Sequence, residues 1–138
     1  MNPPAAASQS VPPAAGGRRT VLVVDDEPAL RRVLATVLQR SGLEPLCVAS
    51  AAEALAVVRA RPVALVISDH ALGARTGLDL LESLRAERFE IPFVLTSAAF
   101  PLGIAERARR AGADLVVEKG ELIRDLAAVA ERHLRPAA

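Results

Sequence analysis

Tryptophan and tyrosine are absent from this 138-residue chain, and three phenylalanines are its only aromatics, so the 51 % hydrophobic content is almost wholly aliphatic. There is one cysteine, Cys47. It excludes an internal disulfide and fits a reducing compartment. Lysine is nearly absent too: of 17 long cations, 16 are arginine and one is Lys119. With 16 acids the net charge is +1, which lacks the basic excess of a dedicated nucleic-acid binder. No uncharged apolar stretch reaches the roughly 18 residues of a membrane span. Arg18-Arg19 resembles the start of an export signal, but Val21–Val24 is far shorter than the roughly 7–15 residues of a signal core. The reading is a soluble cytoplasmic domain with no nucleic-acid or membrane partner.

What is present falls into two parts. Residues 1–19 form a Pro/Ala-rich tail with too little bulky apolar surface to offset its ordering entropy, and are expected to be disordered. Residues 20–135 form one domain of a size that buries roughly two-thirds of its unfolded surface. Short apolar runs occur there at Val21–Val24, Leu43–Val48, Val63–Ser68, Ile91–Ser97 and Leu115–Glu118. Apolar on both faces and rich in valine, they read as buried parallel strands. Helical stripes alternate with them. Leu30, Val33, Leu34, Val37 and Leu38 mark the first, ended by Gly42. Others follow at 51–61, 77–86 and 102–111, the last closed by Gly112, and a final stripe runs from Leu122 to Leu134. Five strand–helix units predict an α/β fold: a doubly wound five-stranded parallel sheet with helices on both faces. The flavodoxin-like order 2-1-3-4-5 places Pro45 on an edge strand, where proline is tolerated.

In such a sheet the strand C-termini share one rim, and ligands bind there. The predicted strands end at Asp25-Asp26-Glu27, Asp69, Ser97 and Glu118-Lys119. Each has a plain structural reading. Asp26 before Glu27-Pro28 would make a helix N-cap, and Asp69 could begin a turn. Together they point elsewhere. At about 5 Å and an effective dielectric near 20, each carboxylate pair repels by roughly 3 kcal/mol. A cation resolves this, and Mg²⁺ suits an oxygen-only site. Three aspartates against Mg²⁺ and Lys119 sum to zero charge, leaving Asp69 ionised as a nucleophile for phosphorus. The metal, Lys119 and the Ser97 hydroxyl would neutralise the transferred oxygens.

These residues carry a resemblance. Val21–Pro28, Val66-Ile67-Ser68-Asp69 with Gly77 eight residues on, Pro92 five before Ser97-Ala98, and Ala111-Gly112-Ala113 with Lys119 together resemble the CheY-like receiver domain of bacterial two-component response regulators. The resemblance implies that Asp69 accepts a phosphoryl group from a histidine kinase or histidine phosphotransfer protein. It implies Mg²⁺ on Asp25, Asp26, Asp69 and the Ala71 carbonyl, with Ser97 and Lys119 on phosphoryl oxygens. It also implies self-dephosphorylation but no other enzyme activity, and a downstream protein target on the face of the fourth helix, fifth strand and fifth helix. No output module fits in the sequence, so a stand-alone phosphorelay receiver is expected.

Some positions depart from the family pattern. Leu72-Gly73 replaces Met-Pro, Gly120 replaces the proline after the lysine, and Val116 replaces the aromatic switch residue. Without that proline a cis bond costs about 2.5–4 kcal/mol, so a trans bond and a reshaped loop are expected. These departures motivate an alternative, a phosphorylation-independent adaptor with a receiver fold. A haloacid-dehalogenase-like phosphatase is a third reading, opposed by Glu27 where that family expects its second aspartate. His70 is expected to be exposed, Arg107, Arg109 and Arg110 to form a solvated helix face, and Cys47 to lie in the core.

Overall fold

The computed structural model describes residues 19–134. The expected tail lies outside them, apart from Arg19. Five parallel strands form the sheet: β1 (Thr20–Val24), β2 (Glu44–Val48), β3 (Leu65–Asp69), β6 (Phe93–Ser97) and β7 (Leu115–Glu118), in the order β2-β1-β3-β6-β7. This is the expected winding, and Pro45 does sit on an edge strand, beside Val21. Five helices cover both faces: α1 (Pro28–Arg40), α2 (Ala51–Ala60), α3 (Gly77–Ala86), α4 (Ile104–Ala111) and α5 (Lys119–His133). A small antiparallel hairpin, β4 (Ala71–Leu72) with β5 (Arg75–Thr76), intervenes between β3 and α3.

Strand alternation sorts the core into two layers. Val21, Val23, Leu65, Ile67 and Val94 pack with Leu34 and Leu38 of α1 and Leu122 and Leu126 of α5. Leu22, Val24, Val66, Phe93 and Leu95 pack instead beneath α2, α3 and α4. Burial on both faces is why these runs read as continuous apolar stretches rather than alternating ones. Leu43, Val63 and Ile91 are buried just ahead of their strands, so the apolar runs overestimate the strands at their starts.

The helices begin and end where their chemistry allows. Ser50 caps α2 by accepting the Glu53 N–H, and Thr76 with Asp79 makes a reciprocal capping box on α3. Gly112 closes α4 in a left-handed conformation (φ +108°). The first stripe is narrower than expected, since Val33 is 46 % exposed and only Leu34 and Leu38 are fully covered. Cys47 is half-buried and packs against the α1/α5 layer. Its burial pushes the thiol pKa up, against the influence of Arg31. At the rim opposite the strand C-termini, Arg85 ties two connections together. Its guanidinium donates to the carbonyls of Phe89 (2.9 Å), Ile91 (3.0 Å) and Gly112 (2.9 Å). Asp114, within 3.9 Å of that guanidinium, accepts the Phe93 N–H at 2.8 Å.

Candidate functional site

Register brings the strand ends together. Val24 pairs with Ser68, Asp69 with Thr96, and Ser97 with Glu118, so residues 25, 69, 97 and 119 fall on one rim. Asp25 leaves β1 with its N–H still bonded to the Val48 carbonyl (3.1 Å), and only 1 % of it is exposed. Its Oδ1 accepts the Glu27 N–H at 2.8 Å, and its own carbonyl accepts from the Arg31 guanidinium. The N-cap of α1 is Glu27, without a side-chain cap bond, so Asp26 does not take the capping role that was its plain structural alternative. Asp26 is exposed and its carboxylate remains available beside the others.

Carboxylate oxygens of Asp25, Asp26 and Asp69 lie within 4.8 Å of one another. Lys119 reaches into this group. Its ammonium donates to Asp69 Oδ2 at 3.0 Å and lies 3.2 Å from Asp25 Oδ2. Partial burial works against the charged lysine, but the bonds to Asp69 and Asp25 and their negative charges outweigh it and raise the Lys119 pKa above its ordinary value. One ammonium against three carboxylates leaves a formal deficit of two positive charges. Hard oxygen ligands on an open rim with that deficit fit a divalent ion such as Mg²⁺.

Asp69 is held from several sides. Its Oδ1 accepts the Ala71 N–H at 3.4 Å and its carbonyl accepts the Ser68 hydroxyl at 2.9 Å. Gly77 packs directly on it: a Cβ there would fall 2.3 Å from the Asp69 carbonyl oxygen and 2.7 Å from Leu95 Cδ1. The spacing marked Gly77, but the reason for glycine, close backbone approach, needed the fold. Ser97 is buried at the end of β6, and its hydroxyl donates to the Ala99 carbonyl at 3.1 Å. Ala71 lies exposed on β4 beside Asp69.

His70 corrects the sequence reading, because it is only 8 % exposed. Pairing continues one residue past β3: the His70 N–H donates to the Thr96 carbonyl and the His70 carbonyl accepts the Gly77 N–H, both at 2.8 Å. The ring is thereby carried inward, and its Nδ1 is buried without a hydrogen-bond partner, as is Thr96 Oγ1. The bond after Lys119 is trans, as expected; no cis peptide occurs among the described residues. In place of a reshaped loop, however, Lys119 is itself the first residue of α5, and non-helical angles at Asp125 (φ −113°, ψ 16°) mark where two helical segments join. Val116 is half-buried and packs against the α2/α3/α4 layer. On α4, Arg107, Arg109 and Arg110 are exposed as expected, with Arg107 near Glu82 and Arg109 near Glu106.

The sequence profile of the response regulator receiver domain matches residues 21–131. Among characterised proteins, the chain is 35 % identical over 88 residues to the photosynthetic apparatus regulatory protein RegA of Rhodovulum sulfidophilum, covering 64 % of this chain and 48 % of RegA. It is 30 % identical over 101 residues to the heme response regulator HssR of Staphylococcus saprophyticus, covering 73 % and 45 %. The chain thus spans about half the length of the curated relatives it matches. Among solved structures, a CheY-like receiver domain protein from Methanospirillum hungatei superimposes with a TM-score of 0.78 at 26 % identity, over 83 % of this chain and 92 % of that one. Response regulator TrrA of Thermotoga maritima, solved with Mg²⁺ and BeF, gives 0.75 at 28 % identity over 84 % and 99 %. Among the described residues no helix is long and apolar enough to cross a membrane. The profile match over most of the chain, on a fold and a rim built as described, makes this protein a member of the response regulator receiver domain family of two-component signalling.

Proposed function

We propose that this receiver is a Mg²⁺-dependent phosphoryl acceptor, with Asp69 as the nucleophile. Asp25, Asp26, Asp69 and the Ala71 carbonyl would hold Mg²⁺, which when bound supplies charge neutralisation at the phosphoryl oxygens. One Asp69 carboxylate oxygen attacks phosphorus, and the bond from phosphorus to its donor breaks. Lys119 and the Ser97 hydroxyl contact the incoming oxygens. The donor is a histidine kinase or a histidine phosphotransfer protein. Output is a change in affinity for a protein target on the face made by α4, β7 and α5, and turnover is limited to the protein's own phosphorylation and dephosphorylation. The reading is of a cytoplasmic protein acting in a phosphorelay without a nucleic-acid or membrane partner.

The observation that carries the reading is the lone lysine of the chain standing 3.0 Å and 3.2 Å from two of three clustered carboxylates. A compact ammonium is suited to a point contact with a phosphoryl oxygen. The experiment is incubation with Mg²⁺ and acetyl phosphate followed by intact mass. A phosphate-sized gain in wild type that disappears in Asp69→Asn is the expected result. No gain in wild type, or an equal gain in the variant, overturns it.

A further inference from the structure

Two of the three clustered carboxylates, Asp25 and Asp26, are secured very differently. Every polar group of Asp25 has a partner: its N–H donates to the Val48 carbonyl, Oδ1 accepts the Glu27 N–H, Oδ2 faces the Lys119 ammonium, and its carbonyl accepts from the Arg31 guanidinium. The Asp26 carboxylate is exposed and has no hydrogen bond or ion pair among the described residues. Its aim into the cluster is therefore set by its backbone. The Asp25 carbonyl and the Asp26 N–H belong to one planar peptide, and that is the peptide Arg31 grips.

Arg31 holds it from a fixed base. In α1 its N–H donates to the Glu27 carbonyl at 3.1 Å, and its own carbonyl accepts weakly from the Cys47 thiol of β2 at 3.9 Å. From there the half-buried side chain reaches back to a backbone carbonyl, and among the described residues it pairs with no carboxylate. A cation serving to neutralise the cluster would sit on its oxygens, as Lys119 does. We infer that Arg31 is a positioning residue for the metal site: by fixing the Asp25–Asp26 peptide it points the Asp26 carboxylate toward the oxygens of Asp25 and Asp69. The inference rests on the Mg²⁺-dependent acceptor reading and deepens it.

The sign of one measurement separates positioning from charge. A guanidinium beside a cation site repels Mg²⁺, so on electrostatic grounds its loss tightens binding. Loss of the hydrogen bond that orients a ligand weakens metal binding instead, by about 10- to 100-fold. The experiment is calorimetric titration of the metal-free protein with Mg²⁺. Arg31→Met is expected to bind about 10- to 100-fold more weakly than wild type, and Arg31→Lys, which keeps a donor, more tightly than Arg31→Met. Arg32→Met, an exposed change one residue on, is expected not to weaken binding. In acetyl phosphate labelling, the Mg²⁺ concentration giving half the maximal rate should rise by the same factor in Arg31→Met while the rate at saturating Mg²⁺ is unchanged. Loss of folded protein would do the reverse. Should Arg31→Met unfold, Arg31→Gln, neutral and shorter, is held to the same outcomes. Equal or tighter Mg²⁺ binding by the folded variant overturns the inference, and so does a lysine variant that binds no better than the methionine one. Weakened binding in Arg31→Met with no phosphate gain on wild-type Asp69 upholds Arg31 and overturns the acceptor reading; no Mg²⁺ binding by wild type overturns both.

Discussion

Replacing Gly77 by alanine adds one methyl group where the backbone packs directly against Asp69. The new Cβ would stand 2.3 Å from the Asp69 carbonyl oxygen and 2.7 Å from Leu95 Cδ1. Neither neighbour can step aside cheaply. Leu95 is fully buried, and the backbone at Asp69 and His70 is held by the ladder to β6 through the His70 bond to Thr96. Overpacking of this kind costs about 1–3 kcal/mol. The better helix propensity of alanine returns at most about 1 kcal/mol, which leaves a net loss of about 0–2 kcal/mol when the return is complete. The displacement needed to clear the carbonyl is about 1 Å, and it falls on the proposed nucleophile, where a shift of that size can cost about 100-fold in rate. Urea unfolding and the time course of acetyl phosphate labelling read the two effects separately. Gly120→Ala is the control: apart from its chain neighbours and its own helix backbone, no atom lies within 4 Å of the added Cβ, so it should stabilise by about 0.5–1 kcal/mol. If Gly77→Ala unfolds at the same urea midpoint as wild type and labels at the same rate, the close-approach argument is wrong.

Other outcomes follow from the same geometry. Excess Mg²⁺ should raise the melting temperature of wild type, by the equivalent of about 2.7 kcal/mol at 100 times its dissociation constant. Asp26→Asn, an exposed change, should fold normally and lose most of that gain; an undiminished gain would exclude Asp26 as a ligand. Asp79 accepts the Thr76 backbone N–H at 2.9 Å, and that bond holds its carboxyl below the usual range. A lowered folded pKa stabilises above the unfolded value of about 3.9 and is lost as pH falls through the folded value. Asp79→Asn should therefore be less stable at pH 7 by about 0.5–1 kcal/mol and converge with wild type in strong acid; a constant gap across pH would refute the linkage. Arg88 holds a left-handed φ of +70° just after α3, and Arg88→Gly should raise stability by about 0.5–1 kcal/mol in urea unfolding. A variant that unfolds earlier would show that the arginine side chain outweighs the backbone term.

The sheet order and the rim were legible because both follow from patterns with a direct physical cause. Short valine-rich runs apolar on both faces favour buried parallel strands, and their ends define the rim where Asp25, Asp69, Ser97 and Lys119 meet. The parts that escaped notice are those set by contacts distant in sequence. Strands of two residues, such as Ala71–Leu72 and Arg75–Thr76, are too short to show a period. His70 looked like a loop residue because nothing local announces its bond to Thr96. The shortfall at Val33 has a different origin, since stripe width in sequence does not say how much of a helix its neighbours cover. The engagement of Ser97 with Ala99 was also invisible, because strand-end residue types fix position but not the direction of a hydroxyl.

The Arg85 tie gives α4 a mechanical character. At its C-terminal end the helix stops at Gly112, whose carbonyl is fastened to the end of α3 through that guanidinium. At its N-terminal end Ile104 packs against the core layer and Arg107 lies near Glu82 of α3, so this end is held by side-chain packing and an exposed ion pair. A rod tied by hydrogen bonds at one end and by softer packing at the other would pivot about Gly112 if pushed. Eight residues of helix make an arm of about 12 Å, so a tilt of about 10° sweeps the far end through about 2 Å. The largest excursion of such a pivot would fall on the end nearest the rim of strand C-termini, and the smallest on the side where the domain is tied together.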